Sequence, residues 1–152
     1  MTLVRTKWPA LWTAWIGIII LVGVLPLSNF VGHSHWEYIK WVPTEEQLRS
    51  PSIVLELIVD AVANILLFLP FGFCYARRTQ EKPSSLFAVV TFALLLSCSI
   101  ELYQVYCHNR NTSLLDILDN VVGAYLGFRV GARFFERSMP VERRDIAPLP
   151  SR

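Results

Sequence analysis

Acidic and amide side chains are concentrated in one stretch of the sequence, between residues 97 and 120. Two apolar segments flank a short polar break centred on Arg110, and a break this short predicts two antiparallel, neighbouring helices. Residues equally far from the break then lie at similar depth, which predicts contact between Ser97 and Gly123. Carboxylates and amides at one depth offer proton transfer, cation binding or orientation of a ligand. The residues of the stretch that are candidates for this chemistry are Glu101, Gln104, Arg110, Asp116, Asp119 and Asn120.

Four apolar blocks of the chain are long enough to cross a bilayer as helices, at about 1.5 Å per residue against a hydrocarbon core of about 30 Å. The apolar content of 53% and the mean hydropathy of +0.42 are high for a soluble domain. The alternative, a soluble helical protein, is disfavoured because the loops carry too little polar surface to cover four such helices. The sequence therefore predicts an all-α fold, a four-helix transmembrane bundle with helices at about 10–27, 53–75, 86–107 and 113–135.

Basic residues are distributed unevenly among the connections of this bundle. Eleven of the fourteen Lys and Arg residues fall at the N-terminus, in the second connection or towards and beyond the end of the last helix. The positive-inside rule places these segments in the cytoplasm, so both termini of a multi-pass membrane protein are predicted to be cytoplasmic. The net charge of +2 gives no indication of nucleic-acid binding, and the basic tail suits the anionic lipid of the inner leaflet.

The predicted spans divide the chain into four parts. Residues 1–27 form an N-terminal anchor, because the apolar run exceeds the usual core of a signal peptide and no cleavage motif follows Leu27. Residues 28–52 form an outer loop and 53–135 a three-helix membrane core, and 136–152 form a cytoplasmic tail predicted to be disordered.

The outer loop contains two further features. The segment Pro43-Thr44-Glu45-Glu46 has the pattern of a helix start and predicts a short interfacial helix. His33 and His35 carry side chains that bind metals, but two histidines without further ligands are a weak signal. Surface histidines are the simpler interpretation.

Polar residues from three predicted helices reach the same depth. In the second block Glu56, Asp60 and Asn64 are spaced by four and share one face. With both termini inside, they lie in the outer half of the membrane, level with the polar residues of the hairpin. A carboxylate costs up to about 2.5–3.5 kcal/mol at mid-helix in a membrane. Any one of these polar residues could equally well belong to a functional site or serve as a polar link between helices. Their occurrence at one depth on three helices favours a functional site that faces the envelope.

The cluster contains four acids, Asp60, Glu101, Asp116 and Asp119, and a single basic residue nearby in the sequence, Arg110. In a poorly solvated site this negative charge requires a protonated acid, a basic ligand group or a bound cation. Oxygen ligands favour a divalent cation such as Mg²⁺, Ca²⁺ or Mn²⁺ over zinc, with Asp60, Glu101 and Asp116 as candidate metal ligands. The candidates for acid–base catalysis are Glu101, Asp116 and Asp119. Arg110 suits a phosphate or carboxylate. The candidate ligand-binding residues are Asp60, Asn64, Gln104, Arg110 and Asn120.

Gly123, Gly127 and Gly131 form a ridge of small residues on the last predicted helix. Such ridges let another helix approach closely. Plain packing or dimerisation is the favoured interpretation of this ridge. The partner helix would then belong to the same chain, to a second copy of the chain or to another membrane protein.

The chain carries an ordered set of motifs: Asp60 and Asn64 ahead of Phe68-Leu69-Pro70-Phe71-Gly72, then Ser97, Glu101 and Gln104, then Arg110, Asp116, Asp119-Asn120, Gly123 and Gly127. This combination resembles the VanZ-like family over about residues 55–130. The resemblance implies a small protein of the bacterial cytoplasmic (inner) membrane, and the founding member of the family is linked to teicoplanin resistance. It implies no settled reaction, so the sequence leaves open whether the protein is an enzyme.

Two functions compete on this basis. The first is a site near the outer leaflet that binds or modifies a lipid-linked or amphiphilic envelope molecule, as the family's link to a lipoglycopeptide suggests. The second is a non-enzymatic membrane subunit or scaffold whose polar cluster serves helix packing. Ion or proton transport is disfavoured because the inner halves of the predicted helices carry almost no polar residues to continue a path.

Overall fold

The computed structural model describes residues 7–39, 42–79, 84–108, 110 and 112–138. Over these residues the chain is all-α and contains no strand, as the sequence predicts. Long apolar runs favour helices in lipid because a helix satisfies its backbone polar groups internally. The helices are α1 (Lys7–Val24), α2 (Glu45–Leu48), α3 (Pro51–Thr79), α4 (Ser84–Gln104) and α5 (Leu114–Ser138).

Within the described part of the chain, three helices have the length and composition of membrane spans: α1, α3, and α4 from Ser85 onward. Only 6% of the most apolar stretch of α1, and of α3, is buried inside the protein, so their apolar side chains cover its outside. An exposed apolar surface this large is typical of a protein surrounded by lipid. The 25 residues of α5 are long enough to span, but its charged residues give it a more polar composition. The expectation of four spans is therefore supported for three helices.

The glycine ridge of α5 packs against α3. A Cβ atom on Gly123 would collide with the backbone of Ile65, and one on Gly127 with the backbone of Leu69. Both residue numbers rise by four from one contact to the next, so the two helices run parallel. Because α3 fills the ridge, the expectation of a second copy or membrane partner docking there is wrong for the folded chain. Its glycines, Gly123, Gly127 and Gly131, are buried by intramolecular packing.

The helices α4 and α5 form the predicted antiparallel hairpin. Ser97 accepts a hydrogen bond at 2.8 Å from Asn120, which lies three residues before Gly123 on α5, and Gly123 packs against α3. The contact expected between Ser97 and Gly123 stays a prediction. The helix α4 ends at Gln104, and the residues after it pair with the outer loop.

One end of the bundle is aromatic and basic. The Arg77 guanidinium lies 5.2 Å from the ring centre of Trp8, and that of Arg78 lies 4.7 Å from the ring of Trp12. These contacts bring the start of α1 beside the end of α3. The apolar core lies next to this end, and its buried members are Ile19, Phe68, Phe71, Tyr75, Ala76, Val89, Ala93, Ala124 and Phe128.

At the other end, the loop between α1 and α3 is held against the segment that follows α4. An antiparallel bridge joins Phe30 to Cys107. Farther along the loop, α2 begins where the sequence predicts a helix start. There the Gln47 N–H donates to the Thr44 hydroxyl at 3.3 Å, and the Thr44 N–H donates to the Gln47 side-chain oxygen at 3.0 Å, which is a capping box.

The boundary between the last helix and the C-terminal tail lies slightly later than the sequence predicts. The last helix continues to Ser138, so it includes the first residues of the predicted tail. Residues 1–6 and 139–152 lie outside the described residues, and the disorder predicted for the tail stays a prediction.

Candidate functional site

A cavity of about 280 Å³ lies at the end of the bundle away from Arg77 and Arg78, between α1, α3, α4 and α5. Seven of the eight site residues proposed from the sequence line this one cavity, although they come from three helices, α3, α4 and α5, and the connection between α4 and α5. The seven are Asp60, Asn64, Glu101, Gln104, Arg110, Asp116 and Asn120.

Asp119 is the proposed site residue that does not line the cavity. It is half-buried on α5, three residues after Asp116 and next to Asn120, and these two neighbours do reach the cavity. Glu56 lies one turn before Asp60 on α3 and lines a smaller adjoining cavity of about 70 Å³ that shares Asp60. The acids of the sequence cluster are thus divided between the main cavity and its surroundings.

Glu101 is the most deeply buried acid of the cavity, with 5% of its surface exposed. Its carboxylate accepts a hydrogen bond from the Ser113 N–H at 3.0 Å, immediately before α5 begins. A carboxylate at this position is favoured because the N-terminus of a helix presents unpaired N–H groups and positive potential. The charges of Asp116 and Arg110 both act on this carboxylate. Glu101 therefore joins the end of α4 to the start of α5.

Gln104 and Arg110 join the hairpin to α1. The Gln104 side-chain amide donates to the Gly23 carbonyl oxygen at 3.1 Å, and the Arg110 guanidinium donates to the carbonyl oxygen of Leu25 and, at 3.4 Å, to that of Val22. The last carbonyls of a helix lack intrahelical partners, and cationic groups near them are stabilising. These two side chains thus cap the end of α1.

Asn120 lies on the cavity wall with 6% of its surface exposed. Its side-chain N–H group donates to the Ser97 hydroxyl at 2.8 Å. Its side-chain oxygen is buried and has no hydrogen-bond partner among the described residues. Asp60 and Asn64 likewise make no side-chain hydrogen bond within the described part of the chain, and Asp60 is exposed. The cavity therefore offers acceptor atoms that the described protein groups do not use.

The contribution of α1 to the cavity is not predicted by the sequence. Ile19, Val22 and Gly23 line the cavity, and α1 supplies backbone carbonyl groups, which carry no signal in the sequence. The remaining lining residues are apolar and come from α3 and α4, and they give the cavity a mixed polar and apolar character: Ala63, Leu67, Phe68 and Ile100.

The expected divalent-cation site on Asp60, Glu101 and Asp116 has a mixed outcome. The three acids line the same cavity, but within the described residues they do not form a close cluster of ligand atoms. Among the described residues, such a close cluster is formed by His33, His35 and His108. His108 is far from the other two histidines in the sequence, so the sequence alone does not predict this cluster.

Comparison with curated proteins and with solved structures finds no match to this chain. The family model described as VanZ/LLP1 matches residues 11–135. This match extends beyond the span of the sequence resemblance and takes in most of α1, the outer loop and all the residues that line the cavity. With this coverage, the chain belongs to the VanZ/LLP1 family.

Proposed function

We propose that the protein is a multi-pass protein of the bacterial cytoplasmic membrane whose acidic cavity binds the polar head of a lipid-linked or amphiphilic envelope molecule. In this proposal both termini face the cytoplasm and the cavity lies near the outer leaflet. The aromatic and basic end of the bundle supports this orientation, since Arg77 and Arg78 stack on Trp8 and Trp12. Basic residues and indole rings together are typical of the cytoplasmic interface.

The proposal includes α5 as a fourth membrane span. This helix lies parallel to α3 with glycine–backbone contacts from Gly123 to Gly131, so it occupies the same depth as a helix that is apolar enough to cross a membrane. Two of its three acids, Asp116 and Asp119, follow its start, whereas its basic residues Arg129, Arg133 and Arg137 lie towards its end together with the third acid, Glu136. The excess of basic residues at that end supports an orientation with Asp116 and Asp119 in the outer half and the end of α5 towards the cytoplasm.

The observation that carries the proposal is the set of unused acceptors in the cavity. The side-chain oxygen of Asn120 is buried without a partner among the described residues, which costs about 1–3 kcal/mol unless a donor fills the site. The carboxylate of Asp60 and the amide of Asn64 face the same space. A ligand with ammonium or hydroxyl groups would satisfy these atoms.

The apolar part of the cavity wall explains why the ligand is expected to be amphiphilic. Leu67, Phe68 and Ile100 line the cavity together with the polar groups. In this proposal the hydrocarbon part of the ligand contacts these apolar side chains while its polar head contacts Asp60 and Asn120. The family's link to teicoplanin resistance agrees with a ligand of the envelope.

The same cavity contains the paired carboxylates that proton transfer to a bound head group would need. Glu101 and Asp116 are close enough for their charges to interact, and both line the cavity. Arg110 provides a cationic group beside them. We therefore keep Glu101 and Asp116 as the acid–base candidates, and we leave Asp119 out because it lies outside the cavity.

The proposal is tested by native mass spectrometry of the protein released from nanodiscs made with lipids of its host. Asp60→Asn is expected to lose co-purifying amphiphile at unchanged helix content and unfolding temperature. Asp119→Asn is the matched control, because it removes one carboxylate on α5 outside the cavity. Equal retention of the amphiphile in both variants, or its absence from the unmodified protein, would contradict the proposal.

The second candidate function is a scaffold in which the polar residues link helices. The bonds from Ser113 to Glu101, from Gln104 to Gly23 and from Asn120 to Ser97 favour it. On this alternative Glu101→Gln lowers the amount of inserted protein. Asp60→Asn then has no effect, because Asp60 makes no hydrogen bond within the described residues.

A further inference from the structure

All three histidines of the chain lie together outside the cavity. His33 and His35 belong to the outer loop, and His108 follows α4, far away in the sequence. The ring centres are separated by 4.7 Å for His33 and His35, 5.6 Å for His33 and His108, and 4.9 Å for His35 and His108. One nitrogen from each ring lies within 4.8 Å of the others.

Backbone hydrogen bonds hold the three residues in this arrangement. The His108 N–H donates to the Asn29 carbonyl oxygen at 2.7 Å, and the His35 N–H donates to the Val105 carbonyl oxygen at 2.9 Å. The antiparallel bridge between Phe30 and Cys107 joins the same two segments. Two of the histidines therefore take part directly in joining the outer loop to the end of the hairpin. The three histidines are therefore close together because of the backbone pairing of these two segments, and not through their side-chain rotamers alone.

We propose that His33, His35 and His108 bind a Zn²⁺ ion. Neutral imidazole nitrogen is a preferred ligand of zinc, with Zn–N distances of about 2.0–2.1 Å, and three protein ligands with a fourth open position form a common coordination set. Tetrahedral geometry at that bond length separates ligand nitrogens by about 3.3 Å. Small rotations of the exposed His33 and His108 rings bring the nitrogens from 4.8 Å or less to that separation.

Glu37 adds a feature found around metal-binding histidines. Its carboxylate lies 3.9 Å from Nδ1 of His35. A carboxylate that accepts a hydrogen bond from one ring nitrogen favours the tautomer in which the other nitrogen binds a metal, and a small rotation of the exposed Glu37 side chain would bring the two atoms within hydrogen-bond distance. Glu37 is therefore assigned as a positioning residue for His35.

Among the described residues, the outer loop is joined to the end of the hairpin by three backbone hydrogen bonds and by stacking of the Phe30 ring on the Tyr103 ring. Zinc at this position would add a further link between the two segments. The inference concerns residues outside the cavity and does not depend on the proposed binding of an amphiphile.

The test is zinc titration of the purified full-length chain, carrying an affinity tag without histidine and stripped of metal with a chelator. One Zn²⁺ per chain is expected, and Co²⁺ in its place is expected to give the visible absorption of a four-coordinate site. His33→Asn and His108→Asn are each expected to weaken zinc binding more than about tenfold. Glu45→Gln, which removes an exposed acid of the same loop, is expected to leave it unchanged.

Three outcomes would overturn the inference: no zinc bound at micromolar concentrations, equal binding by both histidine variants and the unmodified chain, or a loss in Glu45→Gln as large as theirs. His33→Asn guards against a folding defect, because His33 is exposed. Asp60→Asn is expected to lose amphiphile binding and to retain zinc binding. That result would show that the cavity and the histidine cluster are separate sites.

Discussion

The Asn120 side chain donates a hydrogen bond to the Ser97 hydroxyl at 2.8 Å across the α4–α5 hairpin, and both residues are buried. Ser97 has 0% of its surface exposed, so water cannot replace a lost partner there. This bond joins the two helices at the level of the cavity, which Asn120 lines.

Ser97→Ala is expected to destabilise the protein by about 1–3 kcal/mol, because it leaves the buried Asn120 amide without an acceptor. The measurement is thermal unfolding in mild detergent. Ser99→Ala is the matched control: Ser99 is exposed on the same helix and bonds only to the carbonyl of Leu95, one turn earlier. Equal unfolding temperatures for the two variants would show that the bond does not contribute to stability.

Gly127→Ala is expected to weaken the contact between α3 and α5, because the added methyl group collides with the backbone carbonyl of Leu69. Backbone cannot rotate away as a side chain can, so a loss of at least about 1–3 kcal/mol is expected. Gly17→Ala on α1 is the control, since a Cβ there meets no atom within 4 Å. It should leave stability unchanged or raise it slightly. Gly127→Ala with the stability of Gly17→Ala would refute the tight packing.

Part of the cavity follows from the sequence because helix geometry is regular. The four-residue spacing of Asp60 and Asn64 defines one face, and the short break around Arg110 requires an antiparallel hairpin that brings Glu101 near Asp116. These relations need only local rules, which is why seven of the proposed residues line one cavity.

Other parts depend on contacts that the sequence does not encode locally. The glycines of α5 predict close packing but not which helix fills the ridge. The end of α1 takes part through carbonyl groups, such as that of Gly23, which every residue has. His108 joins His35 only through backbone pairing between distant segments. For that reason the sequence alone indicates an isolated pair of histidines, His33 and His35, in the outer loop.

Arg110→Ala is expected to loosen α1, because the guanidinium no longer caps the Leu25 and Val22 carbonyl groups. The expected loss is about 1–2 kcal/mol, measured as a lower unfolding temperature. Arg49→Ala is the control, since Arg49 pairs with Glu45 on the exposed surface at 3.8 Å and such pairs contribute little. The capping role is refuted by an Arg110→Ala variant as stable as Arg49→Ala.

The orientation of the bundle is tested by labelling single cysteines in intact cells with a membrane-impermeant maleimide. The three native cysteines, Cys74, Cys98 and Cys107, are first replaced by alanine. Glu46→Cys, on exposed α2, is expected to react from outside, because the loop that carries it is placed on the envelope side.

Arg133→Cys is the matched position near the end of α5, also exposed, and it is expected to react only after the membrane is permeabilised. The reason is the concentration of basic residues at that end of the bundle, which the positive-inside rule assigns to the cytoplasm. The reverse labelling pattern would show that the cavity faces the cytosol. In that case the cavity could not receive a ligand from the outer leaflet, and the proposed function would fail, whereas the zinc site, defined by its own ligands, would still be open to test.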